Sequence, residues 1–258
     1  MSWDVERAAR ALLAREDTCA EGGPLSDEWP ELDLATAYRV QDETLRLRLE
    51  RGETLIGVKL GLTSRAKQRR MNVDAPLTAW LTDAMVLPAG EPAPLDAFIH
   101  PRAEPEIVFV LGRDLTGPGV TAATAITAVE RVLSGVEIID SRYRDFRFTL
   151  PDVVADNASS GSFVTGPVAR SAEAFDLSLE SCALEVDGTV VDTATGAAVQ
   201  GHPAEALALA ANALGRRGHS LRRGWIVLTG GMTDAVPLGP GTSVSADFAT
   251  LGRVVVGG

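Results

Sequence analysis

The sequence contains very few of the residues that build disulfide frameworks and zinc sites. It has two cysteines, Cys19 and Cys182, and three histidines among 258 residues. The cysteines lack the paired spacings of zinc ligands, and His100, His202 and His219 share no ligand spacing. We therefore expect two reduced thiols, as is usual in the cytosol, and no metal site built from sulfur or imidazole.

Basic residues and long apolar runs are also scarce. The chain has 24 Lys and Arg against 35 Asp and Glu, which gives a formal net charge of −11. Because polyanions are bound mainly through Lys and Arg, this excess of acid argues against a nucleic-acid partner. No run reaches the roughly 18–20 apolar residues of a membrane span, and no signal-like apolar segment follows the N-terminus. These absences predict a cytoplasmic protein that binds neither nucleic acid nor membrane.

The pattern of apolar residues changes near residue 52. Before it, residues 3–17 carry an apolar stripe at helical spacing, and residues 34–51 form a second amphipathic pattern that ends at Gly52. After it, short apolar runs separated by Gly and Pro predict strands. We therefore expect a helical N-terminal segment, 1–52, and a β-rich core, 53–258, that act as one functional domain.

Within the core, the order of the predicted elements indicates the fold class. Strands are predicted at 55–62, 106–111, 136–141, 179–186, 225–231 and 243–257, and helices at 121–134 and 203–217. Asp187-Gly188 is a typical hairpin turn. Strands and helices do not alternate strictly, which disfavours a doubly wound parallel sheet. The sequence predicts an α+β fold, with a mixed, β-rich core and flanking helices.

Two glutamates at the start of an apolar strand are the clearest chemical signal. Glu104 and Glu106 are two residues apart, so in a strand their side chains point to the same face. A third acid, Glu137, begins another apolar run. Like charges this close repel each other unless a cation intervenes, and Mg²⁺ and Mn²⁺ prefer oxygen ligands. The alternative is a solvated strand edge with ordinary surface glutamates.

Several motifs, taken together and in order, resemble a known family. They are GVKLGLTS (57–64), LTDAM (81–85), HPRAEPEIVFVL (100–111), VEIIDSRY (136–143), DVVADNASSGSFVTG (152–166) and the tail WIVLTGGMTDAVPLGPGTSVSADFATLG. The chain thus resembles, over roughly residues 35–256, the 2-oxopent-4-enoate hydratase and 4-oxalocrotonate decarboxylase family of the fumarylacetoacetate hydrolase superfamily. The resemblance implies a mixed β fold around a Mg²⁺ or Mn²⁺ site.

The resemblance also implies roles for particular residues. It places the metal on Glu104, Glu106 and Glu137, Lys59 in the active site, and Asp83 beside Lys59 as a second catalytic group. Turn capping is the alternative for Asp83. The substrate pocket is expected to contain the run from Ala155 to Ser160 and two further residues. Its named members are Leu62, Asn157, Ser159, Ser160 and Thr229.

Arg142 is a further candidate for substrate binding. It lies in SRYRDFRF with Arg144 and Arg147, and a guanidinium can hold a carboxylate with two hydrogen bonds. The alternative for this run is a solvated edge or a subunit contact.

The resemblance implies a lyase of meta-cleavage catabolism of aromatic compounds. KLGLTSRAKQRRM, LTDAM, HPR and DSRYRDFRFTLPDVVADN look more like decarboxylases than hydratases, whereas Leu77-Thr78-Ala79-Trp80 replaces a stretch in which the family often has a glycine. The favoured activity is decarboxylation of 2-oxohex-3-enedioate to 2-hydroxypenta-2,4-dienoate. The alternatives are 2-oxopent-4-enoate hydratase, a carbon–carbon hydrolase, and a non-catalytic subunit that stabilises a hydratase. The expected partners are a small 2-oxo dicarboxylic acid, further copies in a homo-oligomer, and the sister hydratase.

Overall fold

A computed structural model of the protein describes residues 3–64, 68–69 and 76–258. The helices are α1 (Val5–Asp17), α2 (Leu25–Glu28), α3 (Leu34–Glu50), α4 (Ala122–Ile126), α5 (Leu150–Ala155) and α6 (Pro203–Arg216). The strands are β1 (Leu55–Gly61), β2 (Leu77–Thr82), β3 (Arg102–Leu111), β4 (Val129–Ile139), β5 (Ser160–Thr165), β6 (Ser181–Val186), β7 (Thr189–Thr195), β8 (Ile226–Leu228), β9 (Val236–Pro237), β10 (Ser243–Phe248) and β11 (Gly252–Gly257). This mixture confirms the predicted α+β class.

The longer helices begin and end where local sequence signals place them. Asp4 caps α1 by accepting a hydrogen bond from the Arg7 N–H at 2.8 Å, and Asp33 caps α3 in the same way. Helix α6 begins at Pro203, where a missing N–H costs nothing. Gly218, just after α6, has the left-handed backbone that commonly ends a helix. The predicted helices at 3–17, 34–51 and 203–217 are therefore confirmed.

Two sheets form the β-rich part of the molecule. The larger sheet has the order β2-β1-β8-β3-β4-β5, with β9 paired to β3. Its β1–β8 pair is parallel, and the other pairs are antiparallel. The second sheet has the order β11-β10-β6-β7 and is antiparallel throughout. The segment that follows β2 also reaches β5, at the opposite end of the larger sheet, because the Leu87 N–H donates to the Phe163 carbonyl at 2.8 Å. The larger sheet is thus strongly rolled.

One sequence prediction of secondary structure is wrong. Residues 121–134, expected to form a helix, contain only the short α4, and the chain then enters β4 at Val129. Strand β4 pairs with nearly the whole of β3, from Arg102 opposite Ile139 to Leu111 opposite Val129. This long pairing with a distant segment overrides the local preference of an Ala- and Val-rich stretch for helix. The strand expected at 136–141 consequently begins seven residues earlier.

The rolled sheet buries different groups on its two faces. On one face, Ile107 and Phe109 belong to the main apolar core, which also includes side chains of α6 and of the second sheet. On the other face lies a smaller apolar cluster formed by Leu81, Met85, Val108, Phe163 and Leu228. Because side chains alternate along a strand, Glu104 and Glu106 share the face of Val108. The acids therefore lie on the same face as this small cluster.

The N-terminal helices pack beside the rolled sheet. Ala8, Ala9, Leu12 and Leu13 of α1 are buried in an apolar cluster that also contains side chains of α3 and α5. The division into 1–52 and 53–258 stays a prediction, although α3 ends at Glu50 and β1 begins at Leu55. Among the described residues, no helix has both the length and the apolar character that crossing a bilayer requires.

Candidate active site

The three predicted metal ligands meet on neighbouring strands. Glu104 and Glu106 lie on β3, and Glu137 lies on β4 directly opposite Glu104. One carboxylate oxygen from each residue lies within 4.8 Å of the others. Their side chains are almost fully enclosed, with relative exposures of 9, 0 and 1%. The alternative of a solvated strand edge is therefore wrong.

Among the described residues, Lys59 of β1 places a positive charge directly beside this cluster. Its Nζ lies 3.0 Å from Oε1 of Glu137 and donates to Oε2 at 3.2 Å. Burial lowers the pKa of Lys59, but the nearby charges of Glu137, Glu104 and Glu106 outweigh it and raise the pKa above its usual value. Lys59 is therefore a protonated ammonium at neutral pH.

The ammonium of Lys59 alone does not balance the three carboxylates. Burial, together with repulsion from Glu137 and Glu104, raises the pKa of Glu106 well above its usual value. The Gly230 N–H donates to Oε2 of Glu106 at 2.6 Å, whereas its buried Oε1 has no hydrogen-bond partner among the described residues. A buried oxygen without a partner, in a cluster with excess negative charge, fits a divalent cation with oxygen ligands.

The turn that follows β8 fits closely against the three acids. A Cβ atom on Gly231 would lie 2.2 Å from Oε2 of Glu104, and one on Gly230 would lie 2.0 Å from Oγ1 of Thr63. Gly230 also has a φ of +109°, which side-chain-bearing residues rarely adopt. The two glycines of the L-T-G-G run therefore allow the backbone to approach the site. Sequence reasoning named Thr229 in this run and missed the glycines, although a Gly-Gly pair after a strand is a usable signal.

Ser160, Thr229 and Leu62 differ in what they can offer a substrate. The buried Oγ of Ser160 has no hydrogen-bond partner within the part of the chain that is described. Thr229 donates its hydroxyl to the Ile107 carbonyl at 2.8 Å, so it retains only the capacity to accept. Leu62 is half-buried with a left-handed φ of 55°, and its carbonyl accepts a hydrogen bond from Gln68. Ser160 is therefore the candidate whose hydroxyl is available.

Asp83 does not lie beside Lys59, contrary to the sequence expectation. Lys59 is paired with Ala79, whereas Asp83 follows the far end of β2, about 13 Å further along at the usual rise per residue. Its exposed carboxylate accepts hydrogen bonds from the N–H groups of Thr54 and Ala84 at 2.8 and 3.0 Å. These hydrogen bonds lower its pKa. Asp83 therefore caps a turn, which is the alternative that the sequence left open.

Arg142 is also placed differently from the expectation. Its guanidinium is buried and donates to Asp156 Oδ1, to the Asp156 carbonyl and to the carbonyls of Asp140 and Ser160. These hydrogen bonds occupy the edges of the guanidinium that a substrate carboxylate would use. Arg142 is thus a structural residue in this fold, because its partners are already inside the protein.

Asn157 and Ser159 are likewise held by protein groups. The Asn157 side chain accepts from the Trp80 N–H and donates to the Trp80 carbonyl, both at 2.9 Å. The Ser159 hydroxyl donates to Asp156 at 3.3 Å. These two side chains therefore fix the loop before β5. Asp156, which organises this region, lies in the run that the sequence analysis assigned to the substrate pocket but was not named there individually; an acid among apolar residues in DVVADN is the signal that could have singled it out.

One of the motifs that favour a decarboxylase over a hydratase lies partly outside the described residues. Of the stretch KLGLTSRAKQRRM, residues 65–67 and 70–71 are not among them. The other features, including HPR before the two glutamates, are described.

Comparison with known proteins agrees with the geometry of the site. A family model described as "Fumarylacetoacetate (FAA) hydrolase C-terminal" matches residues 54–256. The chain belongs to the fumarylacetoacetate hydrolase family. Within this family, it is 40% identical over 230 residues to a 4-oxalocrotonate decarboxylase of Pseudomonas putida, with 89% of this chain and 87% of the relative covered. It is 41% identical over 241 residues to a 2-hydroxyhexa-2,4-dienoate hydratase of Comamonas testosteroni, with 93 and 88% covered.

A solved family member has nearly the same fold. The 4-oxalocrotonate decarboxylase from Pseudomonas putida G7, complexed with magnesium and adipate, superposes with a TM-score of 0.96 at 39% identity. The match covers 98% of this chain and 96% of that chain. The family resemblance and the fold type inferred from sequence motifs are therefore confirmed.

Proposed function

We propose that this chain is a metal-dependent carboxy-lyase that converts 2-oxohex-3-enedioate to 2-hydroxypenta-2,4-dienoate in meta-cleavage catabolism of aromatic compounds. The observation that carries the proposal is the buried triad of Glu104, Glu106 and Glu137 beside Lys59. The triad lies in a chain about 40% identical to 4-oxalocrotonate decarboxylases.

The three glutamates would hold one divalent ion, and their all-oxygen donor set suits Mg²⁺ or Mn²⁺. When bound, such an ion supplies Lewis-acid stabilisation to the 2-oxo oxygen of the substrate. Magnesium in the 39%-identical relative supports this assignment.

The reaction breaks the bond between C5 and C6 of the substrate and releases C6 as carbon dioxide. The electron pair of that bond forms a C4–C5 double bond, the C3–C4 pair moves to C2–C3, and the 2-oxo oxygen takes the negative charge. One proton on that oxygen completes 2-hydroxypenta-2,4-dienoate. The enzyme must therefore stabilise charge at the end of the substrate remote from the bond that breaks.

The chain's own residues fit this requirement. Lys59 is buried and protonated, so its ammonium can donate to an oxygen on which charge develops. The hydroxyl of Ser160, which has no hydrogen-bond partner among the described residues, is suited to a substrate carboxylate. The apolar cluster under the acids, which includes Val108 and Phe163, limits the access of water. A dienolate formed there is thereby protected from unproductive hydration.

The decisive experiment supplies 2-oxohex-3-enedioate to the purified protein with Mg²⁺ or Mn²⁺ and measures carbon dioxide release and dienoate absorbance. Stoichiometric formation of both products is expected. Glu106→Gln, which keeps the side-chain size but removes a charge, should lose this activity and most of its metal affinity. Full activity of that variant with unchanged metal binding would contradict the site.

Hydratase activity is the second candidate, because the hydratase of Comamonas testosteroni is as similar to this chain as the decarboxylases are. The same assay decides between them when 2-hydroxypenta-2,4-dienoate is offered instead. Water addition to give a 4-hydroxy-2-oxo acid, with no carbon dioxide from the dicarboxylate, would reverse the assignment.

Several sequence predictions accompany this proposal. They are a small 2-oxo dicarboxylic acid as ligand, a homo-oligomer, a complex with a sister hydratase, and a cytoplasmic location. Adipate in the 39%-identical relative supports the first. Light scattering of the purified chain, alone and with a hydratase, tests the second and third.

A further inference from the structure

The loop that leads into β5 has an unusual backbone. Asn157, Ala158 and Ser159 all have left-handed φ angles, of 48°, 51° and 57°. None of the three is glycine, and residues with a Cβ atom rarely adopt this conformation even singly. Such a run persists only where the surrounding structure holds it, and strained backbone of this kind is commonly found at functional sites.

Arg142 contacts the backbone on both sides of this run. Its Nη2 donates to the Asp156 carbonyl at 2.5 Å, just before the run, and its Nη1 donates to the Ser160 carbonyl at 2.7 Å, just after it. The same Nη1 also reaches the Asp140 carbonyl at 2.7 Å. A planar guanidinium can make these hydrogen bonds at fixed angles, so it sets the distance between the two ends of the left-handed run.

Asp156 completes the arrangement from the other side. Its Oδ1 accepts from Nε of Arg142 at 2.5 Å, and its Oδ2 accepts from the Arg142 N–H and the Ser159 hydroxyl, both at 3.3 Å. Arg142 and Asp156 are both buried, with relative exposures of 3 and 1%. The ion pair is therefore buried inside the protein, where it holds the loop from within.

The loop held in this way lies against the strands that carry Lys59. Asn157 is bonded to the backbone of Trp80, the residue after Ala79, which is paired with Lys59. The Cβ of Ala158 lies 3.6 Å from the position that a Cβ on Gly61 would occupy. The run ends at Ser160, whose buried hydroxyl is unpaired within the described part of the chain.

We propose that the Arg142–Asp156 pair is a positioning device that holds residues 157–159 in the left-handed conformation and so places Ser160 for contact with a carboxylate of the substrate. This inference rests on the proposed function, since it gives Ser160 a carboxylate to bind. Arg142 acts through the loop backbone and does not touch the substrate.

The first variant is Arg142→Lys, which keeps the charge but cannot bond both ends of the run. The value of kcat/KM should fall roughly 10- to 100-fold, as for a misplaced positioning group, mainly through KM. Metal affinity should stay unchanged, because Arg142 contacts none of the three glutamates. Asp156→Asn serves as the second variant if Arg142→Lys does not fold.

The sharper test adds Ala158→Gly to each variant. Glycine adopts the left-handed conformation without help, so it should restore much of the lost kcat/KM in the Arg142→Lys background. The Ala158→Gly single variant shows how much the glycine changes kcat/KM when Arg142 is intact, and the double variant is compared with it. The matched control is Asp187→Gly in the same background, because Asp187 is also left-handed, with a φ of 50°, but lies in the exposed β6–β7 turn. This control should restore nothing.

Hydrogen exchange of the 156–160 amides provides a readout that does not depend on turnover. Exchange should rise in Arg142→Lys and fall again with Ala158→Gly. Wild-type kcat/KM in Arg142→Lys and Asp156→Asn would overturn the proposal. So would an equal effect of the two glycine substitutions, since this would indicate general stabilisation. Absence of turnover in the wild type, with the exchange pattern as expected, would contradict the proposed function instead.

Discussion

Single side chains set the charge of the buried site. The ammonium of Lys59 lies beside a cluster of three carboxylates and contacts Glu137 at 3.0 Å. Lys59 therefore has two opposite effects: it stabilises the acids when no cation is present, and it repels a cation that binds to them. We therefore expect Lys59 to weaken metal binding and to accelerate catalysis.

Replacing Lys59 by Met should separate these two effects. We expect tighter binding of Mg²⁺ or Mn²⁺, because a positive charge beside the ligands is removed. Turnover should nevertheless fall by roughly 100-fold or more, as when a positioned proton donor is lost. Titration calorimetry and steady-state kinetics measure the two quantities on the same sample.

Asp83→Asn is the control for this experiment, since it changes a charged side chain that caps an exposed turn. Its kcat should stay within about twofold of wild type, because a surface substitution of this kind has small energetic effects. If Asp83→Asn lost as much activity as Lys59→Met, Asp83 would have to be assigned a role in the active site after all.

A second prediction at the residue scale concerns pH. Burial and its acidic neighbours raise the pKa of Glu106 in the folded, metal-free chain. Between the unfolded pKa, about 4.3, and this raised value, the folded state binds more protons than the unfolded state. The free energy of unfolding should therefore fall as pH rises through that window.

Chemical denaturation of metal-free protein at several pH values measures how the free energy of unfolding changes with pH. In Glu106→Gln, the part of this pH dependence that comes from Glu106 should be absent. Equal slopes for the two proteins would contradict the raised pKa.

At the scale of elements, the site depends on how closely the turn after β8 approaches β3. The turn supplies the Gly230 N–H to Glu106, and it passes Glu104 with no room for a side chain on Gly231. The two neighbouring acids are thus held by strand pairing on one side and by a glycine turn on the other.

Gly231→Ala should disturb the metal ligands while the fold remains intact. Its new methyl group would meet Oε2 of Glu104, so we expect metal affinity to fall by about 10- to 100-fold, as when a group that orients a ligand is changed. Gly239→Ala is the matched control, because its nearest neighbour, Oγ1 of Thr242, would be 3.8 Å away. Similar affinities for both variants would show that the close approach is unimportant.

The elements also show which features can be read from sequence. Glu104 and Glu106 were paired correctly because a strand repeats every two residues, which is a local rule. The helix expected at 121–134 was wrong because β4 is stabilised by β3, which the local pattern does not contain. The role of Arg142 was misjudged for the same reason: its partner Asp156 is fourteen residues away and is brought near only by the fold. The family motifs supplied the long-range information for Glu137 and Lys59.

At the scale of the whole molecule, we expect the negative charge of the three buried acids to oppose folding until a cation binds. A ligand that binds only the folded state stabilises it by about 2.7 kcal/mol at a concentration 100 times its Kd. For a chain of this size, the corresponding rise in Tm is roughly 5–10 °C.

Thermal unfolding with and without Mg²⁺ or Mn²⁺ checks this expectation. Sodium chloride at equal ionic strength controls for general screening, and Glu104→Gln controls for binding elsewhere on the acidic surface. An equal rise in Tm for wild type and Glu104→Gln would place the stabilising ion outside the triad.

The hydrogen bond from Gly230 to Glu106 spans 124 residues of sequence. During synthesis from the N-terminus, Glu104, Glu106 and Glu137 leave the ribosome long before the turn that supports two of them. Lys59 likewise reaches Glu137 across 78 residues. The nascent chain therefore carries these acids without that support until Gly230 has been added. A metal site built on the three acids would form only at that late stage, and its occupancy would report that the segments around Lys59 and Gly230 have reached their native positions.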